Sequence, residues 1–81
     1  MNEQIREIVA RHGGLAVDVA GLDEAADLYE AGMTSFASVD LMLGLEEAFD
    51  IEFPDALLTR KTFASISSIA EAVTKLSAKA A

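Results

Sequence analysis

The stretch Ser35-Phe36-Ala37-Ser38-Val39-Asp40-Leu41-Met42-Leu43-Gly44-Leu45-Glu46-Glu47-Ala48-Phe49 reads as one helix. Its apolar residues recur in three- and four-residue steps: Phe36, Val39 and Leu43 on one stripe, Met42, Leu45 and Phe49 on another. Leu41 widens the apolar surface, while Asp40, Glu46 and Glu47 fall on or near the opposite side. Apolar residues therefore cover more than one face, which predicts a central helix with several neighbours. Thr34 and Ser35 both suit its N-terminal boundary, because a hydroxyl there can accept a backbone N–H left over by the first turn.

Downstream, Asp50 to Phe53 is a short connection that sends Ile51 and Phe53 inward. Pro54 suits the first turn of a short helix over Asp55–Thr59, where its missing N–H is not needed. Ser65 caps a last helix, along which Ile66, Ile69, Ala70, Val73 and Leu76 form an amphipathic stripe. The tail from Ala78 to Ala81 is expected to fray. Upstream, Asn2 can cap a first helix over Glu3–His12, with Ile5, Ile8, Val9 and His12 on one face. Gly13-Gly14 ends it, since glycine tolerates the left-handed C-terminal conformation. Residues 13–34 lack a helical period and carry scattered apolar residues: Leu15, Val17, Val19, Leu22, Leu28 and Tyr29. A loop this long packs or functions. It should cross the helix ends, bury Leu28 and part of Tyr29, and turn at Gly32. No strand pattern, repeat or linker competes. The chain reads as a single all-α domain over residues 1–81, a four-helix bundle of three main helices and one short one with a long first loop.

The chain has 81 residues, 52% of them hydrophobic, which is too apolar for a disordered segment. So few residues must first build a core, which argues against a large enzyme cleft. With no cysteine, there is no disulfide, thiolate metal site or cysteine nucleophile, a composition that fits the cytoplasm. No apolar run approaches a membrane span, and no signal-peptide core follows Met1. Charge is unevenly placed. From His12 to Thr59, 48 residues hold 11 acids and no Lys or Arg; the six basic residues lie near the two ends. Nucleic acid and anionic membrane surfaces would be repelled, whereas a basic protein partner would be steered in. The same acidity also serves simple solubility.

Catalytic and metal readings fail. His12 is the lone histidine, and no His/carboxylate spacing supports a metal. Ser35 lies outside a G-x-S-x-G elbow, no Lys follows Gly32 in a phosphate loop, and the adjacent Glu46 and Glu47 diverge on a helix. What remains is Ser35, which follows a mobile-looking glycine turn (Gly32-Met33-Thr34) and opens a helix. Free N–H groups and a positive partial charge make that a place to hold a phosphate. The same serine also fits a plain N-cap.

The residues around it carry more. Asp27-Leu28-Tyr29-x-x-Gly32-Met33-Thr34-Ser35-Phe36-x-Ser38-Val39-x-Leu41 resembles the phosphopantetheine-attachment region of acyl carrier proteins. Leu45-Glu46-Glu47-Ala48-Phe49-Asp50-Ile51-Glu52-Phe53-Pro54-Asp55 continues the resemblance, which ends in an amphipathic helix after Ser65-Ile66. It implies a four-helix bundle in which a phosphopantetheinyl transferase moves 4′-phosphopantetheine from coenzyme A onto Ser35. The prosthetic group would then supply the thiol that the chain lacks. The carrier makes no bonds itself; it presents tethered cargo at high effective concentration. The resemblance also makes the second helix the recognition surface, with Asp40, Glu46 and Glu47 meeting basic patches and Leu43 an apolar contact among them.

Thr34 stands where the family has Asp before the serine, Phe36 where it has Leu, and Ala37 at a position often acidic or polar. Charge beside the attachment site is thereby lost, which points to a dedicated partner reading Thr34 and Phe36. The run from Ser35 to Asp55 is similar to a narrower group, the small aminoacyl carrier proteins of rhizobial-type bacteria. These are served by amino acid:[carrier protein] ligases resembling a truncated class II seryl-tRNA synthetase. That resemblance implies glycine or alanine as a thioester on the arm of a monomeric carrier. Two alternatives stand beside it: an acyl carrier for fatty-acid, lipid or polyketide-type synthesis, and a helical interaction module that is never modified. The bulky Phe36, Phe49, Phe53 and Phe63 are expected to fill the small core and leave no cleft for a long acyl chain.

Overall fold

The computed structural model describes residues 2–15 and 18–80, the side chains of residues 2, 20 and 78–80 excepted. Three α-helices carry the fold: α1 (Asn2–His12), α2 (Ser35–Phe49) and α3 (Ile66–Ala80). Single 3-10 turns lie at Val19–Gly21 and Asp55–Leu57, and no strand occurs among the described residues. α1 packs on both α2 and α3. The core draws on all three helices: Ile5 and Val9 from α1, Leu41 and Leu45 from α2, and Ile66, Ile69, Ala72 and Val73 from α3. Connections supply the rest, with Val19, Leu28, Met33, Ile51, Phe53 and Phe63 buried. Burial of these apolar groups is the main force holding so small a chain together.

α2 has the bounds its periodicity predicts, and α3 starts right after Ser65, whose Oγ accepts the Ser68 N–H at 3.1 Å. Gly14 takes the left-handed conformation at φ 63°, closing the chain after α1. Several boundaries differ from the sequence expectation. α1 already includes Asn2, and a cap by that side chain lies outside the described residues, as does Val17. α3 stays helical to Ala80, past the point where fraying was expected. The expected short helix over Asp55–Thr59 is one 3-10 turn ending at Leu57. There a Thr pair takes over: the Thr59 and Thr62 hydroxyls lie 3.1 Å apart, and the Thr62 N–H donates to the Thr59 carbonyl. Such local hydroxyl bonding offers the backbone an alternative to a second helical turn.

The long first loop is pinned along its length. Arg6 of α1 donates one guanidinium nitrogen to the carbonyls of Val19 (2.8 Å) and Leu22 (2.7 Å). The Ser67 N–H at the start of α3 donates to Glu24 O, and the Leu28 N–H to Ala64 O at 2.7 Å. Leu28 is fully buried and Tyr29 half-buried, as the apolar spacing predicts. The turn before Ser35 is anchored, contrary to its mobile look in sequence. Met33 is only 4% exposed and donates its N–H to Leu28 O, while Gly32 makes the bend at φ 118°.

Phe36 is the clearest correction to the expected core. It is 92% exposed, while Phe53 and Phe63 fill the interior and Phe49 is half-buried. α2 buries the Leu41/Leu45 side, which turns the Phe36, Val39 and Leu43 stripe outward. The helix therefore shows one core face rather than two.

Candidate functional site

Ser35 is the first residue of α2 and is exposed. The cap is Thr34: its backbone is extended (φ −89°, ψ 167°) and its Oγ1 accepts the Ala37 N–H at 3.0 Å. The plain-cap reading of Ser35 is thereby corrected, since a hydroxyl one residue further on sits inside the first turn. The first backbone bond of the turn runs from the Ser38 N–H to Thr34 O at 3.0 Å. The N–H groups of Ser35 and Phe36 precede it and face out of the positive end of the helix. The Ser38 hydroxyl donates to the Ser35 carbonyl at 2.7 Å, which steadies the backbone and leaves the Ser35 side chain to the surface.

A groove of about 370 Å³ runs beside Ser35. One wall is α2, through Ser38, Val39 and Met42; the other is the 58–63 segment, through Leu58, Thr59, Arg60 and Phe63. Tyr29 also lines it, with the Arg60 guanidinium carbon 4.1 Å above its ring centre. This pairing was not legible in sequence, because residues 31 apart meet only through the folded loop.

The other singled-out residues separate into two groups. Phe36, Leu43 (54% exposed) and Glu47 lie on the open face of α2, together with Val39. Asp40 and Glu46 already have partners within the chain. Asp40 Oδ2 meets His12 Nδ1 at 3.2 Å, joining α2 to the end of α1. Glu46 is half-buried, and its Oε2 accepts the Phe53 N–H at 2.9 Å, steering the chain after α2. Asp50 makes that exit possible in the left-handed conformation (φ 53°, ψ 53°), which Asp tolerates better than most residues. Among the described residues, no group of three His, Cys, Asp or Glu side chains could hold a metal ion, and no helix is long and apolar enough to cross a membrane.

An exposed hydroxyl stands at a positive helix end, next to a groove whose lining, among the described residues, includes no His, Cys, Asp, Glu or Lys. The phosphopantetheine attachment site family matches residues 3–73. The aminoacyl carrier protein of Agrobacterium fabrum is 62% identical over 73 residues, covering 90% of this chain and 88% of that protein. A crystal structure of an engineered Bradyrhizobium japonicum glycine:[carrier protein] ligase, complexed with a carrier protein from Agrobacterium tumefaciens and AMP, contains a similar chain. It superposes with a TM-score of 0.89 at 61% identity, over 91% of this chain and 99% of that one. A second, of the Bradyrhizobium japonicum ligase with glycylated carrier protein, matches at TM-score 0.75 and 30% identity, over 88% and 95% of the two chains. This all-helical chain belongs to the phosphopantetheine attachment site family and is a relative of the aminoacyl carrier proteins.

Proposed function

We propose that the chain is an aminoacyl carrier protein that receives 4′-phosphopantetheine from coenzyme A on the Ser35 hydroxyl. The arm carries a small amino acid, glycine before alanine, as a thioester. The observation that carries this reading is Ser35 itself: exposed, released from capping by Thr34, and set beside a groove at the positive end of α2. The likeness to carriers solved with glycine:[carrier protein] ligases supports glycine as cargo and such a ligase as the loading partner. When bound, the prosthetic group supplies the thiol; a chain without cysteine has none of its own.

The chain's own part is positional. Thr34 fixes the first turn so that Ser35 Oγ faces a transferase, and the N–H groups of Ser35 and Phe36 favour the phosphodiester charge. Phe36, Val39, Leu43 and Glu47 offer a partner an apolar stripe with an acidic edge. An exposed aromatic beside the reacting group is the kind of anchor that dominates docking energy. Asp40 and Glu46 take part through whatever capacity their internal bonds leave. The chain is a substrate rather than a catalyst, and acts as a monomer in the cytoplasm, where coenzyme A and ATP are at hand.

The test is intact-protein mass after incubation with coenzyme A and a broad-specificity phosphopantetheinyl transferase, with Ser35→Ala as control. A gain of one phosphopantetheine in the native chain alone is expected. Addition of an amino acid:[carrier protein] ligase, ATP and glycine should then add one glycyl group. A folded chain that gains nothing beside a working positive control would leave the unmodified interaction module.

A further inference from the structure

The groove beside Ser35 carries a cation and no acid on a strongly acidic chain. The chain holds 14 acids, yet no carboxylate is among the residues that line the groove, and its one charged side chain is Arg60. Arg60 follows the 48 residues that contain no Lys or Arg, so it is the first cation after Ser35 along the chain. Among the described residues it makes no ion pair with a carboxylate. Its guanidinium lies instead over the Tyr29 ring, 4.1 Å from the centre.

That stack is built into the fold. The Tyr29 N–H donates to Asp27 Oδ1 at 2.9 Å, and its ring packs against the core. The Leu28 N–H donates to Ala64 O, which ties the tyrosine's turn to the segment carrying Arg60. The Thr59–Thr62 turn holds that segment from the other side. A guanidinium held over an aromatic face by its carbon still has N–H donors to offer, and its fork can take an oxyanion with two of them.

We propose that Arg60, held on Tyr29, is an anion-binding residue that takes the phosphodiester which loading places on Ser35, and so lays the start of the arm along the groove. This rests on the reading of Ser35 as the attachment residue. Beyond the phosphodiester, the Ser38 and Thr59 hydroxyls offer partners to the amides of the arm, and Val39, Met42 and Leu58 cover its methyl groups.

Phosphorus NMR of the loaded protein tests it, with mass first confirming full loading. In the native chain the phosphodiester resonance should be displaced from that of free phosphopantetheine. Arg60→Gln should return it most of the way, and Arg60→Lys, which keeps the charge but not the fork, only part of the way. The backbone amides of Tyr29 and residues 59–62 should shift on loading in the native chain and stay still in Arg60→Gln. Arg60 is exposed, so helix content should not change, and loss of its contact with Tyr29 should lower Tm by only a few degrees. Full loading with the same phosphorus resonance in the native chain and Arg60→Gln would overturn this proposal and leave the carrier reading intact. A folded native chain with no mass gain would overturn both.

Discussion

Thr34 Oγ1 accepts the Ala37 N–H at 3.0 Å, so the cap of α2 stands one residue before Ser35, the proposed attachment residue. On the proposed reading, capping and attachment fall to neighbouring residues. Thr34→Ala should cost about 1 kcal/mol, the usual loss for a hydroxyl cap. In a domain of this size that lowers Tm by roughly 4–8 °C. Ser35→Ala removes no cap and should change stability by less than about 0.5 kcal/mol. Loading should show the reverse: Ser35→Ala gains no mass with coenzyme A and transferase, while Thr34→Ala still does. Thermal melts beside intact mass on both variants check the division.

Gly44 sits under the ring of His12. A Cβ there would lie 2.8 Å from His12 Cδ2, 2.9 Å from Nε2 and 3.3 Å from Ile8 Cγ2. Glycine inside a helix costs about 1 kcal/mol relative to alanine, so Gly44→Ala would stabilise α2 if the space were open. Here the methyl group must push the imidazole off Asp40, with which it pairs at 3.2 Å, and press on Ile8. The expected gain should therefore vanish or turn into a loss. In a His12→Ala background the same change should recover part of it, limited by Ile8. A double-mutant cycle by urea unfolding measures the coupling, and equal effects in both backgrounds would show that the ring does not hold the glycine in place.

The helices were legible because their signals are local. Ser35–Phe49 and the Ser65 cap follow from spacing and from one hydroxyl, and the buried Leu28, Ile51 and Phe53 follow from apolar residues in polar surroundings. Phe36 was misplaced because periodicity identifies an apolar stripe without saying whether protein or solvent covers it. Leu41 and Leu45 took the inside, leaving the Phe36 stripe exposed. Glu46 has the same lesson in reverse: an acid in an acidic helix reads as surface, until the Phe53 N–H arrives from seven residues on. Arg6 and Arg60 were read only as charges near the chain ends. Their partners, the Val19 and Leu22 carbonyls and the Tyr29 ring, are distant in sequence and come together only once the first loop is folded. Ser35 was singled out by motif; folding adds that it is exposed and that a groove lies beside it.

Glu46 and Phe36 should respond oppositely to substitution. Glu46→Ala removes the acceptor of a half-buried backbone N–H and should cost about 1–3 kcal/mol, as losses of charge-assisted bonds do. Glu46→Gln keeps an oxygen in place and should lose less than half of that. Phe36→Ala, at a residue 92% exposed, should leave Tm almost unchanged and weaken docking to the loading ligase by tenfold or more, roughly the effect of a lost aromatic anchor. Melting curves together with ligase titrations on the three variants separate the fold from the interface. A large drop in Tm for Phe36→Ala would mean that its ring packs in solution.

Cargo length distinguishes an amino acid carrier from a fatty-acyl one. The interior is taken: Phe53 and Phe63 are buried with ring centres 5.3 Å apart at 57°, and Leu41 and Leu45 are fully buried beside them. The space beside Ser35 is an open groove of about 370 Å³ that includes the Ser38, Thr59 and Arg60 side chains. Val39, Met42, Leu58 and Phe63 also line it, but it is open to solvent, so a lengthening hydrocarbon chain is only partly taken out of water there. A methylene taken fully out of water contributes about 0.8 kcal/mol, so a chain entering the core would raise Tm steeply with each added pair of carbons. For acetyl, hexanoyl and decanoyl thioesters on the loaded protein, Tm should instead stay within about 3 °C of the unacylated form, less than 1 kcal/mol in a domain this small. A glycyl thioester should behave like acetyl, because neither reaches beyond the arm. A steady rise from acetyl to decanoyl would mean that Phe53 and Phe63 part to admit the chain, and would move the molecule from amino acids to fatty acids as its cargo.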